Sequence, residues 1–388
     1  MSRILFDDAY FNLGNSGIAR VWRSFFEAAV EGNMFSKFDI EPVILNRSDK
    51  LTDLGLPTLM FPEYDVTHPA EDRRQLTRVA ESLDISLVVS SYYTFSTSTP
   101  SLLLVYDLIP ELLGFDESNR GWLERKLAFL QADAFAAISN HTKQRLHEFY
   151  PHTRKREVAV AYPAVDPSVF YPRPTSQIEV LRERLKLGQD YFVTVGSRYQ
   201  TGGYKNGHLI LAAMQRGGFD SADWLVVGGE PFTEEERQAA EQTGVNLVRV
   251  ALSDDDVAVA LTGSIALLYP SMEEGFGIPP LEALACGTPV VCTRRASLPE
   301  VVGDLGLMIG GKDPDELLAA MRMARSRELR SRVEQLGPKH AGRFRWQRFA
   351  ETLLEIATRE AKEPQTAASR FRSALIASND DLVRGIQC

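Results

Sequence analysis

Short apolar runs alternate with longer amphipathic segments along most of this chain. In the first half the runs are RILFDD, FDIEPVIL, ISLVVSS, SLLLVYD, AFAAIS and VAVAYP; in the second half they are YFVTVGS, WLVVGG, VNLVRV, IALLYP, PVVCT and LGLMIGG. Their aliphatic and β-branched content predicts strands buried on both faces. Strands that alternate with helical patterns read as βαβ units in a parallel sheet. The stretch AYPAVDPSVFYPRPTS, residues 161–176, holds four prolines and interrupts the pattern as a linker. The expectation is therefore an α/β protein of two doubly wound, Rossmann-like domains, 1–170 and 171–345. A C-terminal amphipathic helix, 346–363, packs back across them, and a small polar tail, 364–388, follows. Ligands of such sheets bind at the carboxyl ends of the strands, so two facing domains are expected to form a cleft.

Length and charge narrow the classes. A chain of 388 residues is long for one domain and comfortable for two. The net charge of -9 argues against a nucleic-acid protein, and membrane contact is expected to be transient at most. The acidic start MSRILFDDAYFN is unlike a signal peptide, and three cysteines give neither a disulfide framework nor metal spacing. A cytoplasmic location is the expectation.

The chemistry concentrates in EEGFGIPPLEALACG, residues 273–287. A loop leaves the strand IALLYP, and Pro279 and Pro280 mark a helix start, where a missing N–H costs nothing. Gly287 stops the helix. Glycines let the backbone approach a ligand, and the N–H groups of Gly275, Phe276, Gly277 and Ile278 suit a phosphate or sugar hydroxyls. Glu274 precedes the turn and Glu282 is placed in the first helical turn. Carboxylates accept hydroxyl hydrogens in pairs, so the two acids can flank an elongated ligand with a diol at each end. Taken singly, each would more often be a solvated acid or a complement to the helix dipole.

This stretch resembles the Glu-x7-Glu motif of the retaining GT-B glycosyltransferases of family 4, and the similarity extends over ALSDDDVAVALTGSIALLYPSMEEGFGIPPLEALACGTPVVCTRRASLPEVVGDLG. The resemblance implies a GT-B fold and a nucleoside diphosphate sugar as substrate. It gives Glu274 to the donor sugar and Glu282 to the ribose, with the Gly275–Ile278 backbone on sugar and phosphate. In VTVGSRYQTGGYKNGHLILAAM, Arg198 and Lys205 match the family's diphosphate-binding cations. The backbone of VRVALSDDD matches its nucleobase loop. No metal or other cofactor is implied.

The first domain departs from the pattern. In LGNSGIARVWRSFFEAA, residues 13–29, Gly17 keeps the position nearest the donor phosphates, but Ser16 stands in a loop that the family makes richer in glycine. Ser90 and Tyr106 stand where many members carry histidine, which leaves Asp107 as the polar group of that segment and a catalytic candidate. Ser139 reads as a helix cap. The resulting expectation is a retaining, metal-independent hexosyltransferase. Its donor is a GDP-mannose-like or UDP sugar; its acceptor is a hydroxyl of a glycan or lipid-linked glycan. The Tyr-Lys-Asn-Gly and Leu-Ile-Pro-Glu runs look closest to mannosyltransferases of polysaccharide assembly. An epimerase or hydrolase of the same fold and a catalytically degenerate nucleotide-sugar-binding protein stay open as alternatives. A dinucleotide oxidoreductase lacks its G-x-G-x-x-G.

Overall fold

The computed structural model describes residues 1–9, 17–91, 94–114, 120–199 and 203–363. The tail 364–388, Tyr92, Tyr93 and the loop containing Ser16 lie outside them. The chain forms two units: Met1–Pro163 together with the segment from Trp346, and Ala164–Arg345.

Among the described residues the first unit holds one seven-stranded sheet. Its strands are β1 (Ser2–Asp7), β2 (Ile40–Asn46), β3 (Thr58–Met60), β4 (Leu87–Ser91), β5 (Ser101–Val105), β6 (Ala134–Ala137) and β7 (Val158–Val160). The order is β3-β2-β1-β4-β5-β6-β7 and every pair is parallel. Leu5, Leu45 and Val88 pack against Leu76 and Ala80 of the helix Pro69–Ser82 on one face. On the other, Phe6 meets Phe25 and Phe26 of the helix Gly17–Glu31. The last helix, Trp346–Glu360, returns to this unit and sets Phe349 against Phe25.

The second unit repeats the plan with β8 (Tyr191–Val195), β9 (Asp223–Val227), β10 (Leu247–Val250), β11 (Leu267–Tyr269), β12 (Val290–Thr293) and β13 (Gly306–Ile309), ordered β10-β9-β8-β11-β12-β13. Trp224 is fully buried and donates to Thr194 Oγ1 at 2.9 Å, so its indole nitrogen is satisfied inside the sheet layer. Both units are thus Rossmann-like, and the order reverses between β1 and β4 and between β8 and β11. That reversal point is where an open parallel sheet offers its ligand crevice.

All twelve predicted strands are present. The structure adds β3, three residues at the sheet edge with two exposed side chains. No helix among the described residues is long and apolar enough to cross a membrane.

Candidate active site

β8 and β11 are hydrogen-bonded neighbours, with Val193 opposite Leu267. The loops leaving their carboxyl ends therefore emerge side by side. One carries Lys205 to the helix Gly207–Gln215; the other carries Glu274 to the helix Ile278–Ala285. Lys205 Nζ donates to Glu274 Oε1 at 2.7 Å and lies 3.5 Å from the Tyr269 hydroxyl. The ammonium also lies over the Tyr204 and Tyr269 rings, 5.4 and 5.5 Å from their centroids. Burial, followed by the Glu274 charge, pushes the Tyr269 phenol well above its ordinary pKa. It stays a neutral hydroxyl beside the ion pair.

The Glu274 loop is held by hydroxyls beneath it. Ser297, wholly buried, shares its hydroxyl between the carbonyls of Glu274 and Phe276 at 3.0 and 2.7 Å. The Ser271 hydroxyl reaches the carbonyls of Glu273 and Tyr204, and Thr293 donates to the Ser271 carbonyl. Gly277 turns the chain into the helix with φ of 104°, a region that L side chains rarely adopt. A Cβ there would also stand 2.9 Å from Leu298 Cδ2. The Phe276 ring is buried against Phe344, so Phe276 can meet a ligand only through its backbone.

The helix opens at Ile278 with both prolines in its first turn, as the sequence predicts. Glu282 is then its fifth residue and lies in the second turn, one residue beyond the expected position. The cause is Gly277, which takes the cap and moves the start ahead of the prolines. Glu282 is 3% and Glu274 9% exposed, so neither is a solvated surface acid.

Arg198 and Lys205 prove unlike. Both line one small pocket with Tyr269 and Ser271. Lys205 faces Glu274. The Arg198 guanidinium is fully buried against Glu236, with Nε–Oε1 at 3.0 Å and Nη2–Oε2 at 3.2 Å. Nη2 also donates to the carbonyls of Glu230 and Pro231. Nη1 is buried without a hydrogen-bond partner among the described residues. The Arg198 charge is therefore balanced internally, and the Nη1 amino group, with two N–H donors, remains. Glu236 also forms, with Thr233, the capping box of the helix Glu234–Thr243.

In the first unit, Asp107 accepts from the Ile109 amide at 3.1 Å and its carbonyl receives Arg125 Nη2 at 2.8 Å. This places it as the turn residue that opens the helix Ile109–Leu112. Gly17 opens the helix Gly17–Glu31 and is exposed, and no atom of the described residues comes within 4 Å of where its Cβ would lie. Ser90 is buried and bonded to Thr94, and Tyr106 is buried. Ser139 caps the helix Asn140–Phe149 by accepting from Thr142 N at 3.0 Å, as expected. Glu230, Glu236, Tyr269, Ser271 and Ser297 escape a reading of the sequence. Each acts on a residue more than twenty positions away, or on a backbone group with no sequence signature.

The model of glycosyl transferases group 1 matches residues 178–340. The alpha-maltose-1-phosphate synthase of Mycolicibacterium smegmatis is 30% identical over 286 residues, 66% of this chain and 72% of that protein. This chain belongs to the glycosyl transferases group 1. The O-antigen chain mannosyltransferase B of Escherichia coli is 48% identical to this family member over 66 residues, 17% of each chain. The serotype-specific mannosyltransferase WbdA of Escherichia coli is 24% identical over 300 residues, 74% of this chain. The matches span 17% and 37% of the length of those two mannosyltransferases. Solved structures share the two-domain GT-B fold. Sucrose-phosphate synthase from Thermosynechococcus elongatus has a TM-score of 0.69 at 16% identity, covering 92% of this chain and 98% of that one. Anabaena HepE in complex with UDP-glucose has a TM-score of 0.66 at 17% identity, covering 92% and 99%.

Proposed function

We propose that this chain transfers a sugar from a nucleoside diphosphate sugar to a hydroxyl of a glycan or lipid-linked glycan, with retention of anomeric configuration. The observation that carries the reading is the Lys205–Glu274 pair at the β8/β11 reversal point, beside a helix whose fifth residue is the buried Glu282. In this reading Lys205 and Glu274, the acid assigned to the sugar, stand on adjacent loops of one sheet, and Glu282, the acid assigned to the ribose, stands in the helix that follows the second loop. Membership of glycosyl transferases group 1 supports the same reading, as do the mannosyltransferase names among the relatives.

In this proposal the donor diphosphate lies across the start of the helix Ile278–Ala285 and meets Lys205. The bond between the anomeric carbon and the phosphate oxygen breaks, and both electrons leave with the diphosphate. Lys205 and the positive end of the helix stabilise that charge. The acceptor oxygen attacks from the face the phosphate leaves, and its proton passes to a phosphate oxygen. Glu274 orients the sugar and Glu282 accepts from the ribose diol. Arg198 acts mainly through the loop it supports, with Nη1 as one further donor. No metal is assigned a role in this proposal. Asp107 and Gly17 remain proposed contacts on the acceptor and donor sides.

The test is product analysis. Purified protein is incubated with GDP-mannose, UDP-glucose, UDP-galactose and ADP-glucose, each with a polyprenyl-diphosphate-linked oligosaccharide, and products are read by mass spectrometry and anomeric NMR. One α-donor giving an α-linked product supports the reading. An inverted product overturns retention, and donor hydrolysis without an acceptor product supports a hydrolase. Donor binding without turnover supports the degenerate protein.

A further inference from the structure

The turn after β9 carries a carboxylate that sequence patterns do not single out. Glu230 Oε1 accepts from the backbone amides of Arg198 and Tyr199, both at 2.7 Å, and Oε2 accepts from Ser197 Oγ at 2.9 Å. Arg198 Nη2 returns to the Glu230 and Pro231 carbonyls. The two backbones also touch: a Cβ on Gly229 would stand 2.5 Å from the Gly196 carbonyl oxygen. Three consecutive residues of the loop after β8 are thus fastened to one residue of the next turn.

The fastening continues to Lys205. The Arg198 carbonyl accepts from the Gly207 amide at 3.1 Å. A Cβ on Gly207 would lie 2.9 Å from Arg198 Cβ, so the helix start rests directly on Arg198. Between them, Asn206 donates to the carbonyls of Pro270 and Gly311 at 3.1 and 2.8 Å. Lys205 is therefore anchored through Gly207 to Arg198 and through Asn206 to the loops after β11 and β13. Only the first anchor depends on Glu230.

We propose that Glu230 is a positioning residue for Lys205, fixing through residues 197–199 and Gly207 where the ammonium meets the outer phosphate of the donor. The proposal rests on the reading above for its ligand, and on the hydrogen bonds alone for its mechanics. Burial alone would raise the Glu230 pKa. Bonds from its own amide, Arg198, Ser197 and Tyr199 outweigh burial and hold it below the ordinary value, so the carboxylate is charged at neutral pH. An ionised carboxylate holding two amides is a stronger brace than a neutral acceptor. Glutamine in its place offers one oxygen and no charge.

The experiment compares wild type, Glu230→Gln and Ser197→Ala, the last removing only the hydroxyl contact. Amide hydrogen exchange is followed at Arg198, Tyr199 and Gly207, and affinities are measured for UDP, GDP and ADP beside their monophosphates. Glu230→Gln is expected to speed exchange at all three amides by about tenfold, and Ser197→Ala by less. It is also expected to weaken the diphosphate about tenfold while leaving the monophosphate unchanged. Unchanged exchange at Gly207 overturns the proposal, because the brace then ends at residues 197–199. Equal loss of mono- and diphosphate overturns it by showing a general structural effect. Tighter diphosphate binding overturns it by making Glu230 an internal competitor for phosphate. If wild type binds no nucleotide, the donor reading fails, and exchange at Gly207 still decides the mechanics.

Discussion

The ammonium of Lys205 lies 2.7 Å from the Glu274 carboxylate, although 69 positions separate them in the chain. Adjacent strands at the reversal of strand order bring them together. Their side chains are 16% and 11% exposed, so solvent screens the pair only partly. Lys205→Met leaves Glu274 buried without its counterion and is expected to lower stability by about 3 kcal/mol. Adding Glu274→Gln removes the stranded charge and should recover most of that loss without restoring donor binding. Urea unfolding and nucleotide titration on the same three proteins check both halves.

Arg198→Met tests whether that arginine is a structural ion. Glu236 would lose its partner in a fully buried setting, with an expected loss of roughly 4 kcal/mol. A freely presented diphosphate cation would behave otherwise: its removal would spare stability and reduce only affinity. Thermal and urea unfolding separate the two outcomes.

Gly277→Ala places a side chain at φ of 104° and against Leu298. The expected loss of stability is more than about 1 kcal/mol, because alanine does not adopt this conformation without strain. Donor affinity should fall with it, since the same residue sets the direction of the helix start. Gly55→Ala, also at positive φ but in open space, is the control for backbone strain without a clash.

Asp8 gives the first unit a pH dependence. It is 2% exposed, and burial, partly opposed by its bonds from Ser48 and Arg47, raises its pKa to about 6. The folded pKa exceeds the unfolded value of 3.8, so this group favours the fold most when protonated. Its contribution is present below about pH 4 and is lost as pH rises through about 6, a change of about 3 kcal/mol. Asp8→Asn should remove that slope, so the stability difference between variant and wild type grows from pH 4 to pH 7 and then levels. Urea midpoints across that range provide the measurement.

The strands were legible because both sheet faces are covered, which leaves continuous apolar runs such as LVV in β4 and LLLV in β5. β3 was not, because a three-residue edge strand with exposed ends has no such run. Glu274, Glu282 and Lys205 were visible through local motifs. Glu230 was not: its partners lie 31 to 33 positions away, and two of its bonds go to backbone amides that any residue supplies. Arg198 was visible as a cation but not as a buried one, because its counterion Glu236 lies 38 positions away.

The most direct test of the donor site is calorimetric titration of wild type, Glu282→Gln and Lys205→Met with GDP-mannose, UDP-glucose and ADP-glucose. Wild type is expected to bind at least one of them. Glu282→Gln should weaken that ligand about tenfold or more with little change in melting temperature, and Lys205→Met should weaken it as well. A folded wild type that binds none of the three, or a Glu282→Gln protein that binds as wild type does, would contradict the donor-site assignment.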